Sequence, residues 1–225
     1  MIPLRDKAPS GRFPFVTLGL IVMNVLVFLL VFSLSEAELR QVFETYGAVP
    51  LRLKAAAGGD AEQGVRFATS LLTSMFLHGG WLHLIGNMWY LWIFGDNIEG
   101  RLGRVRFLMF YLACGGAGCL SHAIVHAESP APVVGASGAI AGVLGAYLVL
   151  FPKARVLTWV PVLVVGYFIE FPAVVLLGLW FLIQLLNQTL ALAGAGEAQS
   201  VAWMAHIGGF VAGMILVLLL RRGRR

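Results

Sequence analysis

The chain has 225 residues, 59% of them hydrophobic and 12% charged, with a formal net charge of +5. Soluble domains run closer to about 45–50% apolar and about 25% charged, so the proportions exclude an ordinary soluble enzyme and point to the membrane. The positive charge is no nucleic-acid face either: twelve of the sixteen Lys and Arg fall at 5–12, 101–106, 153–155 and 221–225, the pattern of short basic loops on one side of a bilayer.

In chain order, residues 13–34 come first and hold no charge, a length that suits one span of about 20 residues. Arg5, Lys7 and Arg12 ahead of them give the look of a signal peptide. No small-residue cleavage site follows, however, and the apolar block is too long for an h-region, so it reads as a retained span. A long outer loop, about 35–80, comes next. Ser35 and Glu38 have capping-box spacing and predict a helix start, and Gly58-Gly59-Asp60 marks a break. Further spans are expected at about 83–100, 105–126, 137–151, 171–190 and 202–220. The inner connections 96–106 and 152–155 are basic, whereas the outer ones, 127–136 and 190–201, contain no Lys or Arg. An even number of spans puts both basic termini on the cytoplasmic side. The terminal run 221–225 reads as a cytoplasmic stop in contact with anionic lipid.

Residues 156–170 are apolar but carry Pro161, Gly166 and Glu170. A seventh span there would move the basic C-terminus outside, so the segment is expected to be interfacial or re-entrant. Cys114 and Cys119 are the two cysteines; their spacing suits neither a disulfide framework nor zinc, and both are expected to be buried thiols. The expected fold is all-α: one polytopic domain over 1–225, a six-helix bundle with its core at about 13–222. Small residues allow close helix contact, Gly138, Gly142 and Gly145 in the fourth span and Gly209 and Gly213 in the sixth.

Polar residues inside apolar spans are costly, which makes them informative. His83 and Asn87 lie four apart on one helix face. Ser137 opens the fourth span in Gly135-Ala136-Ser137-Gly138, and His206 lies near the start of the sixth. Taken singly, each has a bland reading: a packing serine, a lone intramembrane histidine, an Asn in a helix–helix hydrogen bond. Their depths agree, however. Ser137 to Phe151 and His206 to Leu220 both span about 22 Å of helix, in a hydrocarbon layer about 30 Å thick. All three sets should therefore sit roughly 8 Å below the outer surface. There His206 could take the proton of the Ser137 hydroxyl. The Ser137 N–H, the Asn87 amide and His83 are candidate oxyanion donors. No Asp or Glu lies at that depth in the spans, so a dyad is expected rather than a triad.

With these residues in place the sequence resembles the rhomboid intramembrane proteases. The matching segments are Leu77-His78-Gly79-Gly80-Trp81-Leu82-His83 with Asn87, Gly95 with Glu99, Arg101, Leu102 and Gly103, Gly135-Ala136-Ser137-Gly138, and Ala205-His206 with Gly208-Gly209. The resemblance implies a Ser137–His206 dyad, oxyanion roles for His83 and Asn87, and secondary support from His78. Membrane-anchored substrates, single-pass or multi-pass, would be cleaved near the outer end of their span, with no cofactor, metal or nucleic acid. Two positions depart from the family pattern. Thr69 and Ser70 stand where many members have a Trp-Arg pair. Ala141 stands where some place a tyrosine under the catalytic histidine, so support for that ring falls to other residues. The expected location is a cell membrane, the bacterial inner membrane, with the site open to the outer face.

Two rival readings remain at this stage. His122 and His126 (i, i+4), with His78, His83 and Glu128, could crowd a metal, although no His-Glu-x-x-His is present. A non-catalytic rhomboid-like protein that binds transmembrane clients is the other; such proteins typically lose the serine or the histidine.

Overall fold

The computed structural model describes residues 1–8, 12–162, 165–193 and 201–220. The terminal basic run, 221–225, and most of the last expected outer connection, 194–200, lie outside the described residues. Strand β1 (Ile2–Asp6) is followed by α1 (Phe15–Phe32), α2 (Glu36–Tyr46), α3 (Pro50–Ala57), α4 (Ala61–Thr73), α5 (Trp81–Leu102), α6 (Arg104–Val125) and α7 (Ser137–Leu150). Strands β2 (Arg155–Val162) and β3 (Val165–Pro172) come next, then α8 (Ala173–Leu192) and α9 (Trp203–Leu220). Among the described residues, α1, α6, α8 and α9 are long and apolar enough to cross a membrane. Helix α5 is as long as α6 but carries Asp96, Glu99 and Arg101 near its end, and α7 is apolar but has only 14 residues.

Helix α7 is the centre of the bundle, with every residue from Gly138 to Tyr147 buried. It packs on α9 through backbone. A Cβ on Gly209 would fall on the Gly138 carbonyl, and one on Gly213 on the carbonyl of Gly142. Such contact is open only to residues without side chains, and in lipid it brings dispersion and weak polar contacts to full strength. Outward faces show the opposite pattern. Leu26, Leu29 and Leu30 on α1 and Leu182 and Leu186 on α8 are exposed, as expected for side chains that face lipid rather than water.

The basic end of the bundle is knitted by polar groups. Glu99 accepts hydrogen bonds from the Val16 and Thr17 backbone N–H groups (3.0 and 2.8 Å) and from the Thr17 hydroxyl (2.9 Å). It thereby satisfies donors that the start of α1 cannot satisfy itself, and its charge suits the positive end of the helix dipole. Gly95 leaves room for Thr17, whose Cγ2 lies 2.9 Å from where a Cβ would be. Arg101 lies over the Phe151 ring and Arg104 over Phe15, 5.1 and 4.1 Å from the ring centres.

The segment 156–170, expected to be an interfacial or re-entrant piece, is built of strands, and this corrects one expectation: the chain is mostly helical rather than all-α. Strands β2 and β3 form an antiparallel hairpin, and β1 pairs with β2 from Ile2 opposite Trp159 to Asp6 opposite Val156. Val156, Thr158 and Val160 are β-branched and alternate with Leu157 and Trp159, and Val156 and Thr158 are fully buried. Those side chains fit a half-buried pleated face, while Pro161 lies toward the hairpin end, where it costs little. Asp6 ends β1 with its carboxylate accepting from the Tyr147 hydroxyl (2.6 Å) and the Asn97 amide (2.9 Å). Burial holds this carboxyl above the usual aspartate range, against the pull of those hydrogen bonds.

The long loop is packed, not loose. Ser35 and Glu38 form the expected capping box, and Asp60 caps α4 after the break. Ala48 and Phe67 join Cys119 and Ala123 of α6 in a small apolar cluster. Ala48 also pairs with Val133, and Lys54 makes an ion pair with Glu128. Cys114 and Cys119 are both buried free thiols, as expected. At Thr69 and Ser70 the hydroxyls bond back to their own helix, and Thr73 reaches across to the Tyr46 carbonyl at 2.6 Å. These contacts brace the loop without a Trp-Arg pair.

Candidate active site

Ser137 is the first residue of α7, at the end away from the arginines. The turn before it is fixed by Gly135, whose φ of 122° is open to glycine at little cost. The Gly135 N–H donates to the Ser74 carbonyl at 2.9 Å. Its missing side chain matters twice, since a Cβ there would lie 2.7 Å from His83 Nε2. Gly135 is thus a loop residue packed against His83, whereas Gly138, Gly142, Gly209 and Gly213 line the α7–α9 contact.

His206 sits in the first turn of α9 with Nε2 2.8 Å from Ser137 Oγ. The glycine contact below is what brings the two together, because Gly138 directly follows Ser137 and Gly209 lies three residues, about one turn, beyond His206. On α5, His83 and Asn87 face the same side, and the Asn87 amide nitrogen is 3.0 Å from His78 Nε2. His78 lies in the loop ahead of α5, where burial and then the neighbouring His83 push its pKa down to about 4. The ring is therefore neutral at neutral pH, and because the Asn87 amide nitrogen can only donate, Nε2 is the nitrogen that accepts its N–H, leaving the second amide hydrogen free. Ser137, His206, His83 and Asn87 all line one cavity of about 850 Å³, with Gly79, Trp81, Tyr90 and Trp180 among its other walls. The first-turn N–H groups of α7 have no partner inside the helix.

Such a set can activate a hydroxyl and receive an oxyanion. A comparison of the whole chain with known families adds its lineage: residues 65–223 match the family model described as the Rhomboid domain. The chain belongs to the rhomboid family. It is 35% identical over 162 residues to RHOMBOID-like protein 5 of Arabidopsis thaliana, a match covering 71% of this chain and 46% of that protein. Over 78 residues it is 46% identical to the Rhomboid protease GluP of Bacillus subtilis (strain 168), 35% of this chain and 15% of the relative. Rhomboid protein 1, mitochondrial, of Saccharomyces cerevisiae is 31% identical over 153 residues, 65% of this chain and 40% of that protein. The chain thus spans less than half the length of each of these relatives.

This rhomboid's histidine ring is held by groups the sequence reading passed over. His206 Nδ1 is 2.8 Å from Oε1 of Gln184, on α8. Trp180 and Trp203 flank the ring, each with centroid 6.0 Å away, the first tilted and the second edge-on. These groups flank the ring where the expected position, 141, carries only Ala141. The signal was present, since Gln184 and Gln188 are polar residues one turn apart in an apolar span, but no motif of small or catalytic residues surrounds them as it does Ser137 and His206. Gln188 in turn meets His126 at 3.2 Å, and His126 stacks on His122 at 4.5 Å. The carboxylate considered alongside these histidines, Glu128, is paired with Lys54.

Proposed function

We propose that this rhomboid is an intramembrane serine endopeptidase whose dyad is Ser137 and His206. The observation that carries the reading is the 2.8 Å contact between Ser137 Oγ and His206 Nε2, on the wall of a cavity that also holds His83 and Asn87. In the proposed reaction Ser137 Oγ attacks the scissile carbonyl as its proton passes to His206 Nε2. The oxyanion is received by the Ser137 N–H, the free Asn87 amide hydrogen and His83. His206 then returns the proton to the leaving amine, and water repeats the sequence to release the acyl group.

The substrate class is the one that membership of the rhomboid family implies: a peptide bond of a membrane-anchored protein, near the outer end of its span. Six crossings, with both ends of the chain cytoplasmic and the cavity open to the outer face, fit the arrangement best. Helices occupy all six expected intervals. Arg101, Arg104, Arg106 and Arg155 gather with β1 at the end opposite Ser137. A fluorophosphonate probe tests the reading against a client-binding, non-catalytic rhomboid. It should label native protein once, at Ser137, and leave Ser137→Ala unlabelled; equal labelling of both would remove Ser137 from the site.

A further inference from the structure

We propose that Gln184 is a positioning residue: it fixes the tautomer of His206 so that Nε2 keeps its lone pair for Ser137. The proposal rests on the reading of Ser137 and His206 as a catalytic pair.

Three hydrogen bonds force the assignment in sequence. The Trp180 backbone carbonyl can only accept, and the Gln184 side-chain nitrogen lies 3.1 Å from it. The amide nitrogen must therefore face Trp180, since a flipped amide would set two oxygens against each other. Gln184 Oε1 is then the atom turned to His206 Nδ1, at 2.8 Å. An amide oxygen also only accepts, so Nδ1 carries the hydrogen. In a neutral imidazole that leaves Nε2 unprotonated, 2.8 Å from the Ser137 hydroxyl and able to receive its proton. Gln184 itself is buried, 4% exposed, so water does not compete for the bond. When His206 takes the proton its ring becomes cationic, and the Nδ1–H to Oε1 bond strengthens with the developing charge. In a soluble triad this place is held by a carboxylate; here a neutral amide on a third helix serves, which avoids an ion in an apolar layer.

The alternative is that Gln184 merely ties α8 to α9. Gln184→Met keeps the length and bulk but removes the acceptor, and Gln184→Glu keeps an oxygen facing Nδ1. Two readouts separate the roles. The first is ring ¹⁵N NMR of His206 in full-length native protein, expected to show a protonated Nδ1 and an unprotonated Nε2. In Gln184→Met that signature should become a mixture. The second is cleavage of a transmembrane reporter. Locking the wrong tautomer in a soluble triad costs about 10⁴ in kcat; a ring merely set free should lose less, about tenfold to a hundredfold. KM should stay within about twofold, and Gln184→Glu should recover most of kcat. An Nε2-protonated ring in native protein overturns the proposal. So does an unchanged spectrum in Gln184→Met, even if that variant melts earlier. If native protein neither cleaves nor labels, the protease reading falls, while the NMR result still decides what Gln184 does to the ring.

Discussion

Gly209→Ala tests whether backbone contact between α7 and α9 sets the reacting distance. A Cβ at 209 would lie 2.9 Å from the Gly138 carbonyl carbon and closer still to its oxygen. Ordinary carbon contacts lie at about 3.5–4.0 Å, so the helices must part by about 1 Å. The obstacle is main chain on both sides and cannot rotate away. Added to the present 2.8 Å between Ser137 Oγ and His206 Nε2, that separation exceeds hydrogen-bond length. Overpacking of this kind costs about 1–3 kcal/mol, and a misplacement of about 1 Å can cost about 10² in rate. Purified Gly209→Ala should therefore lose roughly a hundredfold in kcat and in the rate of fluorophosphonate labelling, with a lower melting temperature. Gly178→Ala, where a Cβ meets nothing within 4 Å, is the control and should match native protein in both. Native labelling by Gly209→Ala would refute the argument, because the dyad would then survive the loss of the contact said to create it.

Three further outcomes are expected. Asn87→Ala should lower kcat about tenfold to a hundredfold with little change in KM, less than the full loss of a lone oxyanion donor because the Ser137 N–H and His83 remain; lost stability with normal kcat would make Asn87 a packing residue. Asp6 has a folded pKa above its ordinary 3.8, so the stability it lends is greatest at acid pH and is lost as pH rises through the folded value. The melting-temperature difference between Asp6→Asn and native protein should accordingly move in the variant's favour from about pH 4 to 7, and a difference independent of pH would contradict this. Reporters fused to the two ends should both be active only in the cytoplasm; a C-terminal reporter active outside would overturn six crossings.

Much of this was legible because lipid makes polarity expensive. Ser137, His206, His83 and Asn87 stood out as exceptions in apolar stretches, and a shared depth was computable from helix rise alone. The capping box at Ser35 and the break at Gly58-Gly59 are local chemistry and were equally readable. What escaped depends on partners distant in the chain. Strands β2 and β3 pair with each other locally, but β1, which adds the third strand, lies far away in sequence, and nothing within the segment announces it. Gln184 matters only because α8 sets it against His206, 22 positions on. Ala141 signalled that something must hold the ring but not what.

The sheet has a consequence for biosynthesis. Ile2 pairs with Trp159, so everything from α1 to α7 separates the two partners in order of synthesis. Until β2 has been synthesised β1 therefore has no strand to pair with, and its backbone groups must find other partners. Only when β2 emerges can the strand dock and Asp6 find Tyr147 and Asn97 together beside a finished sheet. Closing so long a loop is entropically slow, and the nascent protein carries the serine end of α7 before the opposite end has been sealed.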